Sequence, residues 1–104
     1  MIAYIKKLLG LGPSVDYKQL LNEGAKVIDV RSVQEFKSGH LKNSINIPLD
    51  TIKSKLHKFD KSKPIILICA SGMRSGAAKG ILKSSGFSEV YNGGGWASFE
   101  RKSS

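Results

Sequence analysis

The run Ile65-Ile66-Leu67-Ile68-Cys69 places five apolar residues in succession with no polar alternation. A strand of that pattern must be covered on both faces, which a parallel sheet between helices provides and a half-solvated antiparallel sheet does not. Its surroundings agree. Tyr17 to Asn22 reads as a short helix ended by Gly24 and leads into a second buried strand, Ala25 to Val30. Ser32-Val33-Gln34-Glu35 is a capping box that starts a helix stopped at Gly39. Ser44 to Ile47 is a short strand closed by Pro48, and Leu49 to Leu56 carries Leu49, Ile52 and Leu56 on one helical face. After the central run, Ala70 to Met73 makes a tight loop. Arg74 to Ser85 is helical, with Ala77, Ala78, Ile81 and Leu82 inward and Gly86 as its stop. Glu89 to Tyr91 gives a last strand, broken by Asn92 to Gly95 before a final helical turn with Trp96 and Phe99. This alternation predicts an α/β fold, a central parallel sheet with helices on both faces.

The 104 residues suffice for one core. Residues 13–104 form the expected domain. Residues 1–12, with Met1, Ile5, Leu8 and Leu9 at helical spacing, form an N-terminal segment read as a short amphipathic helix that docks on this domain in preference to a membrane or a partner. That segment has Lys6 and Lys7 inside its apolar stretch, so it does not fit a signal peptide, and no run is long enough to span a bilayer. A cytoplasmic location is the expectation. The net charge of +9 concentrates in residues 37–63, where the lysines are spread out without interleaved aromatic residues. The pattern suits a solvated face with a mild attraction for small anions, and no nucleic-acid partner is expected.

Cys69 is the only cysteine, which excludes an internal disulfide, a Cys-x-x-Cys redox cycle and a multi-thiolate zinc site. Its position invites chemistry. It ends the best strand, at the sheet edge where α/β proteins bind ligands, and precedes a tight turn and a helix N-terminus. The unpaired first-turn amides and a dipole of roughly +0.5 charge favour thiolate over thiol. Cysteines so placed have pKa values of about 3.5 to 7.5 instead of about 8.5. Ala70 and Ser71 are small, Gly72 can turn the chain with positive φ, and Arg74 offers a forked pair of donors to an oxyanion. The expectation is a nucleophilic Cys69 open to solvent, with substrate held by Ala70, Ser71, Gly72, Met73, Arg74 and Ser75.

Five segments now carry a resemblance: Val27-Ile28-Asp29-Val30-Arg31; Glu35-Phe36 with Gly39-His40-Leu41; Ser44-Ile45-Asn46-Ile47-Pro48; Cys69 to Ser75; and Asn92-Gly93-Gly94 with Trp96. In this order, across about residues 16 to 100, they resemble a single-domain rhodanese, a sulfurtransferase of the rhodanese-like superfamily. The resemblance implies that Cys69 accepts a sulfane sulfur as a transient persulfide and passes it to cyanide or a thiol, with no separate cofactor. The implied partners are a small anionic sulfur donor, such as thiosulfate, and a thiophilic acceptor. The loop's second position is Ala70 and brings no second cation, so protein persulfide partners stand beside thiosulfate as donors.

Rival readings are weaker. Tyrosine phosphatases place five residues between cysteine and arginine, and the phosphatase and arsenate-reductase branches of the rhodanese superfamily also have a longer loop. Here there are four, Ala70 to Met73. No Asp or Glu lies between Asp60 and Glu89 to protonate a leaving alkoxide. A persulfide relay to partner proteins remains an alternative, and the intact Cys69 argues against a silent binding module. His40 is expected to cap a helix end, His57 to be exposed, and no metal site is expected. Asp29 is expected to hold the amides of the following turn and Arg31 to pair with a carboxylate such as Glu35. Trp96 reads as a core anchor, and Met73 as the loop's one sizeable apolar side chain, able to shield a persulfide or select substrate.

Overall fold

A computed structural model describes residues 15–104, so the helix expected in residues 1–12 lies outside the described residues. The elements follow in the order α1 (Tyr17–Asn22), β1 (Lys26–Asp29), α2 (Val33–Ser38), β2 (Ile45–Asn46), α3 (Ile52–Lys55), β3 (Ile65–Cys69), α4 (Met73–Ser84), β4 (Val90–Gly95) and α5 (Trp96–Ser103). The four strands make one sheet in the order β2-β1-β3-β4, and every pairing is parallel. This is the α/β architecture that the apolar run at 65–69 requires. All five β3 residues are buried.

Alternation along β3 divides the core. Ile65, Leu67 and Cys69 face one layer with Ile28, Val30, Ile52, Leu56, Ala78 and Leu82. Ile66 and Ile68 face the other with Val27, Phe99 and the partly buried Tyr17, Leu20, Leu21 and Trp96. Each fully buried Ile or Leu contributes about 1.5–3 kcal/mol, so β3 is the most strongly anchored strand and holds its carboxyl end rigidly. On α4 the buried residues are Ser75, Ala78 and Leu82, at helical spacing. That face points a hydroxyl at the end of β3. Ala77, expected inward, is exposed, because it falls outside this stripe.

Two expectations are corrected. Leu49 to Leu56 is not a continuous helix: a 3-10 turn at Leu49–Thr51, the single turn α3 and a second 3-10 turn at Leu56–Lys58 follow one another. The hydroxyls of Thr51 and Ser54 donate to the carbonyls of Pro48 and Thr51, local bonds that compete with a regular helix, while Ile52 and Leu56 are still buried. The glycines after Tyr91 do not break the last strand, which runs to Gly95. Leu67 pairs with Asn92 and Ile68 with Gly94, which leaves Gly93 as the extra residue of a bulge. A Cβ on Gly93 would lie 2.9 Å from Phe99 Cδ1, so glycine allows α5 to close against the sheet there. Among the described residues, no helix is long and apolar enough to cross a membrane.

Candidate active site

The chain leaves β3 at Cys69, turns through Ala70, Ser71 and Gly72, and enters α4 at Met73. Gly72 caps the helix with φ +100° in the left-handed region, where a side chain would be strained. The turn folds the loop back over the sulfur. The Gly72 amide donates to Cys69 Sγ at 2.9 Å and the Ser75 amide at 3.4 Å, and the Ser75 hydroxyl lies 3.3 Å away. Burial pushes the thiol up. Hydrogen bonds from the Ser75 hydroxyl and from the Ser75, Ser71 and Gly72 amides outweigh it, and the net effect holds Cys69 below the ordinary thiol range. The sulfur is therefore built to carry negative charge, although one side of Cys69 packs in the aliphatic layer.

Cys69 is 1% exposed, which corrects the expectation of an open thiol. The cause is the cradle itself, because the loop that aims donors at the sulfur also covers it. Ala70 and Ser71 are exposed on the outside of that loop, and Met73 is 83% exposed. Ser75 is buried. Arg74 is part-exposed at 38% of its side chain. By helical geometry the first-turn amides of Met73 and Arg74 have no acceptor within α4.

Arg74 does not extend freely over the loop. Its Nη1 and Nη2 donate to Glu35 Oε1 and Oε2 at 2.6 and 2.9 Å, a fork-to-fork pair joining α4 to α2. Arg74 beside Glu35, with the Ser32 amide, holds that carboxyl down to about 2. Glu35 also completes the expected capping box with Ser32, so one carboxylate caps α2 and ties down the loop cation. Arg31 therefore pairs elsewhere. Its guanidinium forks onto the buried Asp29, with distances of 2.8 to 3.0 Å, and lies 5.0 Å over the Trp96 ring. Asp29 also accepts the Arg31 amide, as expected for a carboxylate holding the turn after β1.

Asn92, which reads in sequence as part of a strand break and of the resembling segment Asn92-Gly93-Gly94, is the third residue of β4 and reaches the loop. Its Nδ2 donates to the Gly72 carbonyl at 3.0 Å, and its Oδ1 accepts from the Ser75 hydroxyl at 2.6 Å and the Gly94 amide at 3.0 Å. Three residues on, a Cβ on Gly95 would lie 2.6 Å from the Ala70 carbonyl oxygen, so β4 and the loop touch backbone to backbone. Beside the site, Val30, Ser32, Pro48, Leu49, Asp50 and Arg74 line a cleft of about 380 Å³. His40 takes the structural role expected of it: Nδ1 meets the Phe36 carbonyl at 2.8 Å and the ring stacks on Phe36. His57 is exposed. Among the described residues, no group of three or more His, Cys, Asp or Glu is placed to hold a metal ion.

The rhodanese-like domain family matches residues 14–102. The chain belongs to the rhodanese-like family. The thiosulfate sulfurtransferase GlpE of Pseudomonas savastanoi pv. phaseolicola is 34% identical over 80 residues, 77% of this chain and 76% of that protein. Uncharacterized protein YqhL of Bacillus subtilis is 40% identical over 68 residues, 65% of this chain and 54% of YqhL, so the chain spans about half that relative's length. Among solved structures, a rhodanese with anions from E. coli superposes with a TM-score of 0.63 at 33% identity, covering 72% of this chain and 91% of that one.

Proposed function

We propose that this protein is a sulfurtransferase that carries a sulfane sulfur on Cys69. The observation that carries the reading is the ring of donors around one sulfur: the Gly72 and Ser75 amides and the Ser75 hydroxyl within 3.4 Å. Such a ring stabilises an anion at Sγ and, one bond further out, an anionic persulfide against the first turn of α4. The thiolate attacks the outer sulfur of thiosulfate and forms a new S–S bond. The old S–S bond breaks and its electron pair leaves with sulfite, so no general acid is needed. A thiophilic acceptor such as cyanide then takes the outer sulfur, and the bonding pair returns to Sγ as thiolate. The activity of GlpE supports thiosulfate as a donor.

A relay from protein persulfides is the second reading. It is favoured by the latch of Glu35 on Arg74, which leaves the loop cation partly neutralised toward a divalent anion, and by the 83% exposed Met73 beside the loop as an apolar contact for a partner. Incubation with thiosulfate, followed by intact-mass measurement, tests the proposal. The expected result is the gain of one sulfur atom, removed by cyanide and absent in Cys69→Ser. Loading that cyanide discharges in repeated cycles supports the enzyme, and loading from a protein persulfide alone supports the relay. No gain with either donor overturns both.

A further inference from the structure

The Ser75 hydroxyl stands between two acceptors and has one proton. Its Oγ lies 2.6 Å from Asn92 Oδ1 and 3.3 Å from Cys69 Sγ. The Asn92 amide cannot be turned over, because Nδ2 donates to the Gly72 carbonyl at 3.0 Å and the Gly94 amide donates to Oδ1 at 3.0 Å. A flip would oppose like partners at both contacts. Oδ1 therefore faces Ser75 and can only accept. While the sulfur is neutral, the short contact places the hydroxyl proton on Asn92, and the thiol S–H donates to Oγ. Once the sulfur ionises, Oγ would turn a lone pair toward a negative charge unless the hydroxyl rotates. The two bonds cannot be made together.

We propose that Asn92 is a positioning residue that sets the direction of the Ser75 proton and thereby favours the neutral forms of the Cys69 sulfur over the thiolate. Ser75 acts as a two-position donor, aimed at Asn92 in the thiol and at Sγ in the thiolate. On the reading that Cys69 carries a sulfane sulfur, the same device bears on loading. In a persulfide, Sγ is a neutral two-bonded sulfur and the charge sits on the outer atom, so the proton returns to Asn92. Asn92 then favours the loaded protein over the discharged thiolate.

Other groups around the site supply a constant field. Arg74 of α4 pairs with Glu35 of α2, Arg31 pairs with Asp29 at the end of β1, and the Lys102 ammonium of α5 lies near Gly94. The Tyr17 hydroxyl of α1 donates to the Asn92 carbonyl at 3.3 Å. Substituting Asn92 or Ser75 removes none of these charges.

The test is the pH dependence of iodoacetamide alkylation at Cys69, without any sulfur donor, in the native protein, Asn92→Ala, Ser75→Ala and the double variant. Ser75→Ala is expected to raise the midpoint and Asn92→Ala to lower it, with alkylation below the midpoint faster by about threefold to tenfold, the worth of one hydrogen bond. The effect of Asn92→Ala is expected to vanish when Ser75 is already Ala. An Asn92→Ala shift of equal size without Ser75, an upward shift, or none overturns the proposal, since a residue that merely shaped the loop would act with or without the hydroxyl. If Asn92→Ala does not fold, the Asn92 carboxamide resonances of the native chain decide. They are expected to titrate with the alkylation midpoint and to stay flat in Ser75→Ala; flat resonances in the native chain, or equal movement without Ser75, overturn it. Both readouts use donor-free protein, so they stand or fall separately from the sulfur-loading experiment.

Discussion

Arg31 joins three parts of the molecule through one guanidinium. It holds Asp29 at the end of β1, donates at 2.7 Å to the Gly39 carbonyl beyond α2, and lies over Trp96 at the start of α5. Asp29 is fully buried and Arg31 is 5% exposed. Arg31→Ala would strand a buried carboxylate, and denaturant unfolding is expected to show a loss of about 3–5 kcal/mol, the usual cost of breaking a buried pair on one side. Glu35 works differently, because its pair with Arg74 is part-exposed. Glu35→Gln keeps the cap on α2 but releases the guanidinium, so the KM for thiosulfate is expected to fall by about twofold to fivefold, the range of an exposed ion pair. The acid response follows from the same contact. A carboxyl held down to about 2 adds stability above its unfolded value and loses it as pH falls through about 2. Unfolding curves of native protein and Glu35→Gln should therefore differ at neutral pH and converge toward pH 2.

At the scale of elements, the loop is shaped as much by β4 as by its own sequence. Gly95 lies so close to the Ala70 carbonyl that a methyl group would sit 2.6 Å from it, and that contact is backbone, which cannot swing aside. Gly95→Ala is expected to displace the loop and slow sulfur loading far more than Ser71→Ala, measured as the rate of mass gain with thiosulfate. Equal rates would mean the loop does not depend on β4. This dependence was not legible along the chain. The capping box at Ser32, the strand at 65–69 and the cysteine at a helix N-terminus were, because each is a local pattern of a few residues. The Glu35–Arg74 pair spans 39 positions and the Asn92–Ser75 contact 17, and no spacing rule connects them. The glycine run read as a break because glycine weakens an isolated strand, whereas here Gly93 and Gly95 are required by close neighbours.

Across the whole molecule, the parallel order β2-β1-β3-β4 brings the carboxyl ends of all four strands, Asn46, Asp29, Cys69 and Gly95, to one edge. That edge was foreseeable from the β/α alternation, and so was the identity of its nucleophilic candidate. The depth of the sulfur was not, since sequence indicates which amides point at an atom but not how far they close over it. The charge of +9 enters only as a general attraction for anions, because the lysines of residues 37–63 lie largely in solvent. Sulfur transfer at position 69 requires the loop's donors to favour the thiolate in spite of burial. Titration of the Cys69 thiolate by its ultraviolet absorbance tests this most directly. The predicted midpoint lies clearly below the ordinary thiol range. A midpoint at or above that range would mean that burial outweighs the donors, and would contradict it.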